Sequence, residues 1–491
     1  MTKALLLTVS FLLVSPLKGE RVVEISEGWI DGVTRVSQNG RLFYAFLGIP
    51  YAEPPLGDLR FDPVMCPQAK GNVFQGDEDC LYLNVYTPRV IPSLPVMVYL
   101  PGGAFKSGDG RSDHWRPEYI LDKDVVLVTV QYRLGILGFL STGDTVSPGN
   151  YGMKDQVLAL HWVRRNIQRL GGNPGRVTLI GHSAGAVSVA VLLIPREITG
   201  LFHQYIEMSG NFYFTWSNNK GRENNYISIG RNFARLCGCP TNDSLSMVTC
   251  LKRANVTDLI APNDMLHKQI NTIAGGWGFI VEPNSTNAFL SEKPIKIIRE
   301  RGGLDVPFMM GLVKADGLLE TIGLMLAYFT EPEEAVHIRH RFLFRFCSYK
   351  PSEFQILSVI TQCFTDVMFS FPIYKQANSQ LRYGTQPFYV YSFEYRGSIS
   401  RTQKYTGTDE NLGVGHADEL TYLFKQDPAS LGTPNGTYSE QDKTMMRIMV
   451  DLWTSFAATG ENGFWLESFR YEESCKSTLH YRLLRNTDLW D

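Results

Sequence analysis

The segment VTLIGHSAGAVSVAVLLIP, from Val177 to Pro195, constrains the fold of this chain more than any other stretch. Its first residues predict a short buried strand, and the run after Ser183 predicts an apolar helix. The junction at residues 181–185, GHSAG, fits the pattern G-x-S-x-G, in which a serine sits on a sharp strand-to-helix turn. Small residues on each side let the strand and helix pass closely, and the turn exposes the hydroxyl. A plain glycine-rich turn is the alternative, so other parts of the chain must decide whether Ser183 is a nucleophile.

Strand and helix patterns alternate around this segment. The apolar, β-branched runs Pro95–Leu100 and Val125–Tyr132 predict strands that are buried on both faces. Apolar residues recur every three or four positions from Met153 to Leu170, which predicts an amphipathic helix. Helical patterns also cover Glu331–Phe346 and Asp442–Ala457. The alternation predicts an α/β protein with a parallel sheet and crossover helices, and no Pro/Gly/Ser-rich linker divides the chain.

Composition excludes several classes of function. The chain has 491 residues, of which 44% are hydrophobic, so it can bury a large core. Its formal net charge of −2 leaves no basic stripe for nucleic acid. None of its 8 cysteines lies in a zinc-ligand spacing. We therefore expect no nucleic-acid partner, no metal and no cofactor.

The N-terminus is typical of a secretory signal peptide. Lys3 precedes an apolar stretch from Ala4 to Val14 and a polar exit, so we place the signal peptide at residues 1–19. Residues 20–491 are expected to form one domain. The apolar stretch is short for a membrane span, so we expect a secreted protein and no membrane association. Secretion favours disulfides, and the sequence has candidate glycosylation sites at Asn242, Asn255, Asn284 and Asn435.

Two downstream turns supply partners for a nucleophilic serine. A serine hydroxyl needs a base, and the base is oriented by a carboxylate. When the serine sits on a strand-to-helix turn, the carboxylate and then the histidine follow it in the chain. The turn in GVGHADELTYLF supplies His416, and the turn after the apolar strand in VPFMMGLVKADGLLE supplies Asp316. Glu320 is a second candidate for the acid, but it falls a helical turn later.

A glycine pair supplies the third catalytic element. The residues PGGAF, at positions 101–105, follow directly after the predicted strand PVMVYL. Gly102 and Gly103 allow backbone N–H groups to approach a substrate oxygen. Together with the N–H of Ala184, they would form an oxyanion hole for a tetrahedral intermediate. A plain β-turn is the alternative explanation for these two glycines.

Several long segments resemble the type-B carboxylesterase/cholinesterase family, and they occur in the family's order. They are YAFLGIPYAEPPLGDLRF (Tyr44–Phe61), EDCLYLNVYTP (Glu78–Pro88), YRLGILGFL, GNYGMKDQVLALHWVRRNI and GGNPGRVTLIGHSAGAVSV. The resemblance covers nearly the whole mature chain. It implies the α/β-hydrolase fold, with a central, mostly parallel, twisted sheet and helices on both faces. It also implies the site roles: Ser183 as nucleophile, Asp316 as acid, His416 as base, and Gly102, Gly103 and Ala184 as oxyanion donors.

The same resemblance implies structural features around the site. It pairs Cys66 with Cys80 and Cys239 with Cys250, and it leaves open how Cys237, Cys347, Cys363 and Cys475 are paired. It places Ser209 near the acid, as a supporting serine. It places Trp216 where the family often has an acyl-pocket aromatic, although a core tryptophan is an equally good explanation.

The chain departs from the family pattern at several positions. Pro101 stands where the oxyanion motif usually begins with histidine, and Asp316 stands where glutamate is commoner. The oxyanion donors would come from the glycines after Pro101, so activity is still expected. The segment between Phe61 and Cys80 is shorter than in most members.

The residue before Ser183 narrows the range of substrates that the resemblance implies. Cholinesterases have glutamate there and a cation-binding tryptophan in the loop before Glu78, whereas this chain has His182 and no tryptophan in that loop. Juvenile hormone esterases typically have glutamine there, together with a G-x-x-H-x-x-acid pattern that Gly413, His416 and Glu419 match.

We therefore expect a secreted serine carboxylic ester hydrolase, with a Ser-His-Asp triad, that forms an acyl-enzyme with small to medium apolar carboxylic esters. One alternative is a juvenile hormone esterase-like hydrolase. The other is a catalytically inactive, cholinesterase-like binding or adhesion protein. The sequence leaves the oligomeric state and the natural ester open.

Overall fold

The computed structural model describes residues 21–53, 65–70, 73–91, 93–213, 222–260, 277–301, 305–319, 321, 353–406, 410–433, 436–461 and 479–483. The predicted signal peptide and the predicted helix at residues 331–346 lie outside this part of the chain. So do five single positions discussed above: Trp216, Glu320, Cys347, Asn435 and Cys475.

A large central sheet organises the described residues. The strands are, in chain order, β1 (Val22–Ile25), β2 (Gly28–Asp31), β3 (Val33–Val36), β4 (Leu42–Pro50), β5 (Gln68–Lys70), β6 (Val73–Gln75), β7 (Tyr82–Thr87), β8 (Leu94–Leu100), β9 (Val126–Val130), β10 (Gly172–His182), β11 (Gln204–Met208), β12 (Phe308–Val313), β13 (Phe388–Phe393) and β14 (Leu479–Leu483). Ten of them form one sheet in the order β14-β13-β12-β11-β10-β8-β9-β7-β4-β3. Strands β1 and β2 form one separate hairpin, and β5 and β6 form another.

The middle of the sheet is parallel and its ends are antiparallel. Neighbours run parallel from β9 through β8, β10, β11 and β12 to β13. Strand β14 is antiparallel to β13, and β7, β4 and β3 continue the opposite end as antiparallel neighbours. The carboxyl ends of the parallel strands therefore meet along one edge, which is where ligands bind in open α/β sheets.

The helices are α1 (Gly135–Phe139), α2 (Tyr151–Asn166), α3 (Ala184–Leu192), α4 (Arg222–Leu236), α5 (Ser244–Arg253), α6 (Val256–Ile260), α7 (Pro294–Arg301), α8 (Glu353–Thr365), α9 (Phe371–Tyr383), α10 (Arg401–Thr406) and α11 (Glu440–Thr459). A π-helical turn, Asp366–Ser370, joins α8 to α9.

Helices cover both faces of the sheet, as the alternation of β8 shows. Val96 and Val98 point into one core, which also contains Val157 of α2 and Val187 of α3. Tyr99 and its neighbour Met97 point into a second core, which contains Met449 and Trp453 of α11. Successive strand residues face opposite sides of a sheet, so a strand buried on both faces is apolar throughout. The predicted architecture is confirmed.

Local sequence explains where the main helices begin and end. The apolar positions from Met153 onward are buried in α2, and Gly171 ends the following 3-10 turn with a φ of 86°. Helix α11 begins at a capping box, in which the Ser439 and Asp442 side chains each accept a hydrogen bond from the other's backbone N–H. It ends at Gly460, whose φ is 68°. The helix predicted at residues 442–457 is thus confirmed and slightly longer.

Within the described residues, every helix is too short or too polar to cross a lipid bilayer.

Candidate active site

Ser183 occupies the sharp turn between β10 and α3. Its backbone has φ 56° and ψ −123°, a region that non-glycine residues rarely adopt. The Ser183 N–H donates to the Met208 carbonyl at 2.8 Å, which ties the strained turn to strand β11. Ser183 is only half-buried. The turn therefore holds the hydroxyl at the carboxyl edge of the sheet, where a substrate can reach it.

The glycines on each side of Ser183 are required by close backbone approach. A Cβ atom on Gly181 would lie 2.2 Å from the Gly185 carbonyl oxygen. A Cβ atom on Gly185 would lie 2.0 Å from the Leu100 carbonyl oxygen at the end of β8. Real Cβ atoms do not approach backbone oxygens this closely, so helix α3 can pack this tightly on the sheet only with glycine at both positions.

Asp316 and His416, which are 100 residues apart, form a buried hydrogen-bonded pair. The Asp316 Oδ1 atom lies 2.6 Å from His416 Nδ1, and Oδ2 accepts the Val313 N–H at 3.2 Å. Asp316 is fully buried and His416 is 8% exposed. A carboxylate at Nδ1 fixes the ring orientation and keeps the proton on that nitrogen, so Nε2 is left to accept a proton.

Backbone contacts bring the two loops together. Ala315 pairs with Gly415 in an isolated parallel bridge, and the Ala315 N–H donates to the Val414 carbonyl at 2.9 Å. The histidine loop is anchored in turn by Asp418, which accepts the Gly415 N–H at 2.9 Å. The same carboxylate accepts hydrogen bonds from Ser400, from the Arg401 N–H and from Thr402. The rotation of His416 is thus fixed by Asp316, and the position of its loop by Asp418.

The loop after β8 passes directly over the serine turn. A Cβ atom on Gly102 would lie 2.4 Å from the His182 carbonyl oxygen and 2.8 Å from Ser183 Cβ. Gly103 has a φ of 130°, a conformation that L side chains rarely adopt. The Pro101 carbonyl accepts a hydrogen bond from the Tyr132 hydroxyl at 2.7 Å. Proline is therefore compatible with this loop, and Gly102 lies beside Ser183.

A histidine and a glutamate lie behind the Asp316–His416 pair. The ring centroids of His182 and His416 are 4.6 Å apart, and His182 Nε2 is 3.7 Å from Glu419 Oε1. Burial, and then the negative charge of Asp316, raises the pKa of Glu419 to about 8. Burial, and then the nearby His416, holds the pKa of His182 well below its usual value. Both side chains are therefore mainly uncharged at neutral pH.

An aromatic side chain that sequence reasoning missed contacts the site. Phe369 is buried, and its ring centroid is 5.6 Å from that of His416. It lies in the π-helical turn between α8 and α9, a kind of turn that is often found at functional sites. Pro372 follows the turn by two residues, and because proline lacks the N–H of a helical hydrogen bond, it is the sequence signal that could have located this interruption.

The remaining predicted residues fall in different places. Ser209 is fully buried directly after β11, and its hydroxyl has no hydrogen-bond partner among the described residues.

Both predicted disulfides are present, Cys66–Cys80 and Cys239–Cys250. The candidate glycosylation sites that the structure describes are all exposed: Asn242, Asn255 and Asn284. In the same part of the chain, no three His, Cys, Asp or Glu side chains are grouped as metal ligands would be.

Comparison with known proteins identifies the family. The model of the carboxylesterase family matches residues 19–481. The chain belongs to the carboxylesterase family. It is 34% identical to the juvenile hormone esterase of Tribolium castaneum over 88% of this chain and 82% of that protein. It is 32% identical to Esterase FE4 of Myzus persicae, over 89% and 84% of the respective lengths.

A solved structure agrees with the sequence comparisons. The crystal structure of the juvenile hormone esterase of Manduca sexta, with OTFP covalently attached, superposes with a TM-score of 0.76 and 26% identity. The match covers 91% of this chain and 92% of that one. This carboxylesterase therefore has the α/β-hydrolase fold, and the family resemblance is confirmed. It is a serine carboxylesterase, and its substrates are small-molecule esters.

Proposed function

We propose that Ser183, His416 and Asp316 are the nucleophile, base and acid of this carboxylesterase. The observation that carries the proposal is the 2.6 Å contact between Asp316 and His416 at the edge of the sheet that presents the strained Ser183 turn. Ser183 follows strand β10 and Asp316 follows strand β12, and the bridge between Ala315 and Gly415 brings the His416 loop to the Asp316 loop. This arrangement is the one that acyl transfer by a serine requires.

The geometry supports a two-step hydrolysis. His416 Nε2 takes the proton of the Ser183 hydroxyl as the oxygen attacks the ester carbonyl, and Asp316 stabilises the resulting imidazolium. The N–H groups of Gly102, Gly103 and Ala184 would donate to the oxyanion of the tetrahedral intermediate. The intermediate collapses as His416 returns the proton to the leaving alcohol, which gives an acyl-enzyme. Water, deprotonated by His416, then attacks the acyl group, and His416 returns the proton to Ser183 Oγ as the acid is released.

The substrates we propose are small to medium apolar esters, and a juvenile hormone-type ester is the second candidate. Phe369 supplies an apolar surface beside His416, which favours an apolar group near the reacting carbonyl. The second candidate is supported by the pattern of Gly413, His416 and Glu419 and by the two juvenile hormone esterases to which the chain is similar. Whether Trp216 lines an acyl pocket stays a prediction.

We also propose that the protein is secreted as a glycoprotein. The signal-peptide pattern at residues 1–19, the two disulfides and the exposed sequons support this proposal. Residues 20–491 would then form the mature enzyme as one domain. Release of the protein into the medium of expressing insect cells, with a mass decrease after glycan removal, is the expected outcome.

Hydrolysis of 1-naphthyl acetate by the purified protein tests the catalytic proposal. The wild type should turn over, and Ser183→Ala and His416→Ala should be silent. Matched controls are Ser246→Ala, on the exposed face of α5, and His161→Ala on α2, which should keep wild-type rates. A folded wild type as silent as the variants would favour the binding-protein alternative. The ratio of kcat/KM for juvenile hormone to that for 1-naphthyl acetate then separates the two candidate substrates.

A further inference from the structure

His182 contacts two groups that matter for the base. It directly precedes Ser183, its ring is tilted by 43° against that of His416, and its Nε2 faces Glu419 at 3.7 Å. His182 is 5% exposed and Glu419 is fully buried. Neither side chain has a role in the two-step hydrolysis described above, yet both lie next to the group that must gain and lose a proton.

Several buried polar atoms converge around Glu419. Among the described residues, His182 Nε2 is buried without a hydrogen-bond partner, and neither carboxyl oxygen of Glu419 is hydrogen-bonded to another residue. The hydroxyls of Tyr99 and Tyr391 are also buried without a hydrogen-bond partner among the described residues. Burial raises the pKa of both hydroxyls, and the negative charge of Glu419 adds to the increase. Buried polar groups are rarely unpaired, and His182 Nε2 lies just beyond hydrogen-bond distance of Glu419 Oε1. Together, His182, Glu419, Tyr99 and Tyr391 form one buried polar cluster.

The charged groups that act on this buried polar cluster come from several elements. Asp316, in the loop after β12, and Asp418, in the same turn as Glu419, disfavour a further negative charge, whereas His416 favours it. Strand β10 contributes His182, and strands β8 and β13 contribute Tyr99 and Tyr391. Arg401 reaches His182 and Tyr99 by its charge. Asp316 and Asp418 thus oppose ionisation of the Glu419 carboxyl group, while His416, which cycles through a positive charge, supports it.

We propose that His182 and Glu419 form a buried acid–base pair beside His416. At neutral pH the pair is mainly uncharged. In more alkaline solution Glu419 ionises and places a negative charge near His416. The proposal rests on the assignment of His416 as the base. Glu419 and His182 are positioning residues, because they act on His416 and not on the substrate.

The proposal predicts how kcat/KM depends on pH. Because the pKa of Glu419 is about 8, the carboxyl group is protonated below that pH and ionised above it. An ionised carboxylate favours the imidazolium that His416 forms while Ser183 attacks. The kcat/KM value should therefore rise twice with pH, first when His416 loses its proton and again near the pKa of Glu419. We expect the second rise to be roughly 5- to 30-fold, the size of ordinary couplings between neighbouring charges.

The test is the pH profile of kcat/KM for 1-naphthyl acetate, corrected for spontaneous hydrolysis. Glu419→Gln keeps the shape of the side chain but cannot ionise, so it should keep the first rise and lose the second. His182→Gln should keep both rises and shift the midpoint of the second. The matched control is Glu207→Gln: Glu207 is another fully buried carboxyl with a pKa raised by burial, hydrogen-bonded to Gln376, and it should show the wild-type profile.

Three results would overturn the inference. The first is a single rise in the wild type, and the second is a second rise that persists in Glu419→Gln. The third is an equal loss of rate at every pH in Glu419→Gln, which would mark a purely structural role. Thermal unfolding of each variant shows that it is folded. The proposed catalytic roles fail separately, since they require only that Ser183→Ala and His416→Ala be silent.

Discussion

Replacing Asp316 with asparagine tests how the site holds the proton of His416. The carboxylate accepts two hydrogen bonds, from His416 Nδ1 at 2.6 Å and from the Val313 N–H at 3.2 Å. Asparagine has the same shape but only one acceptor oxygen. If its amide nitrogen faces Val313, two N–H groups meet in a buried site. If it faces His416, the ring proton moves to Nε2, the nitrogen that must accept the proton of Ser183.

The expected loss of kcat/KM follows from the conflict between the two orientations of the asparagine amide. An unpaired buried donor costs about 1–3 kcal/mol, so the orientation that keeps the productive tautomer becomes the minor one by roughly 5- to 150-fold. The variant also loses the negative charge that stabilises the His416 imidazolium. Together we expect kcat/KM for 1-naphthyl acetate to fall by about 10²- to 10⁴-fold, with little change in thermal stability.

The control is Asp305→Asn, which makes the same chemical change at an exposed carboxylate that binds Thr385. It should keep the wild-type kcat/KM within a factor of about two. If Asp316→Asn is folded and retains more than about a tenth of the wild-type kcat/KM, Asp316 does not orient the base, and the reasoning from the two hydrogen bonds is refuted.

Three further variants test other parts of the structure. Gly185→Ala should unfold at lower temperature or fail to fold, because its Cβ would lie 2.0 Å from the Leu100 carbonyl oxygen; thermal melts measure this. The double variant Cys66→Ser/Cys80→Ser should lose about 3 kcal/mol of unfolding free energy in urea titrations, the entropy of a loop this short. Glu207→Gln should become progressively more stable than wild type as pH rises above the unfolded-state pKa of glutamate: burial raises the pKa of Glu207, so the folded carboxyl stays protonated while the unfolded one ionises.

The strands and helices around Ser183 could be predicted because their own residues specify them. β8 is apolar on both faces, β10 is buried on both faces from Val177 onward, and the apolar stripe of α2 has a helical period. The pairing of Asp316 with His416 was predicted from chain order and turn position, but the contact depends on the bridge between Ala315 and Gly415. No local pattern encodes a bridge between loops 100 residues apart, since it arises only when the sheet is assembled.

The backbone conformation at the site shows what local sequence patterns do not predict there. Non-glycine residues avoid positive φ because Cβ clashes with the carbonyl, so no propensity predicts one in that region. Seven such residues occur in the described part of the chain, and five of them lie in the turns that carry or flank the proposed catalytic groups: Ala104 (56°), Phe105 (59°), Ser183 (56°), Ser209 (51°) and Ala417 (72°). Each costs about 1–3 kcal/mol and persists only where the surrounding structure enforces it. The parallel sheet supplies that enforcement, for example through the bond from the Ser183 N–H to Met208, and so the stability of the core is what holds these turns in the geometry that acyl transfer needs.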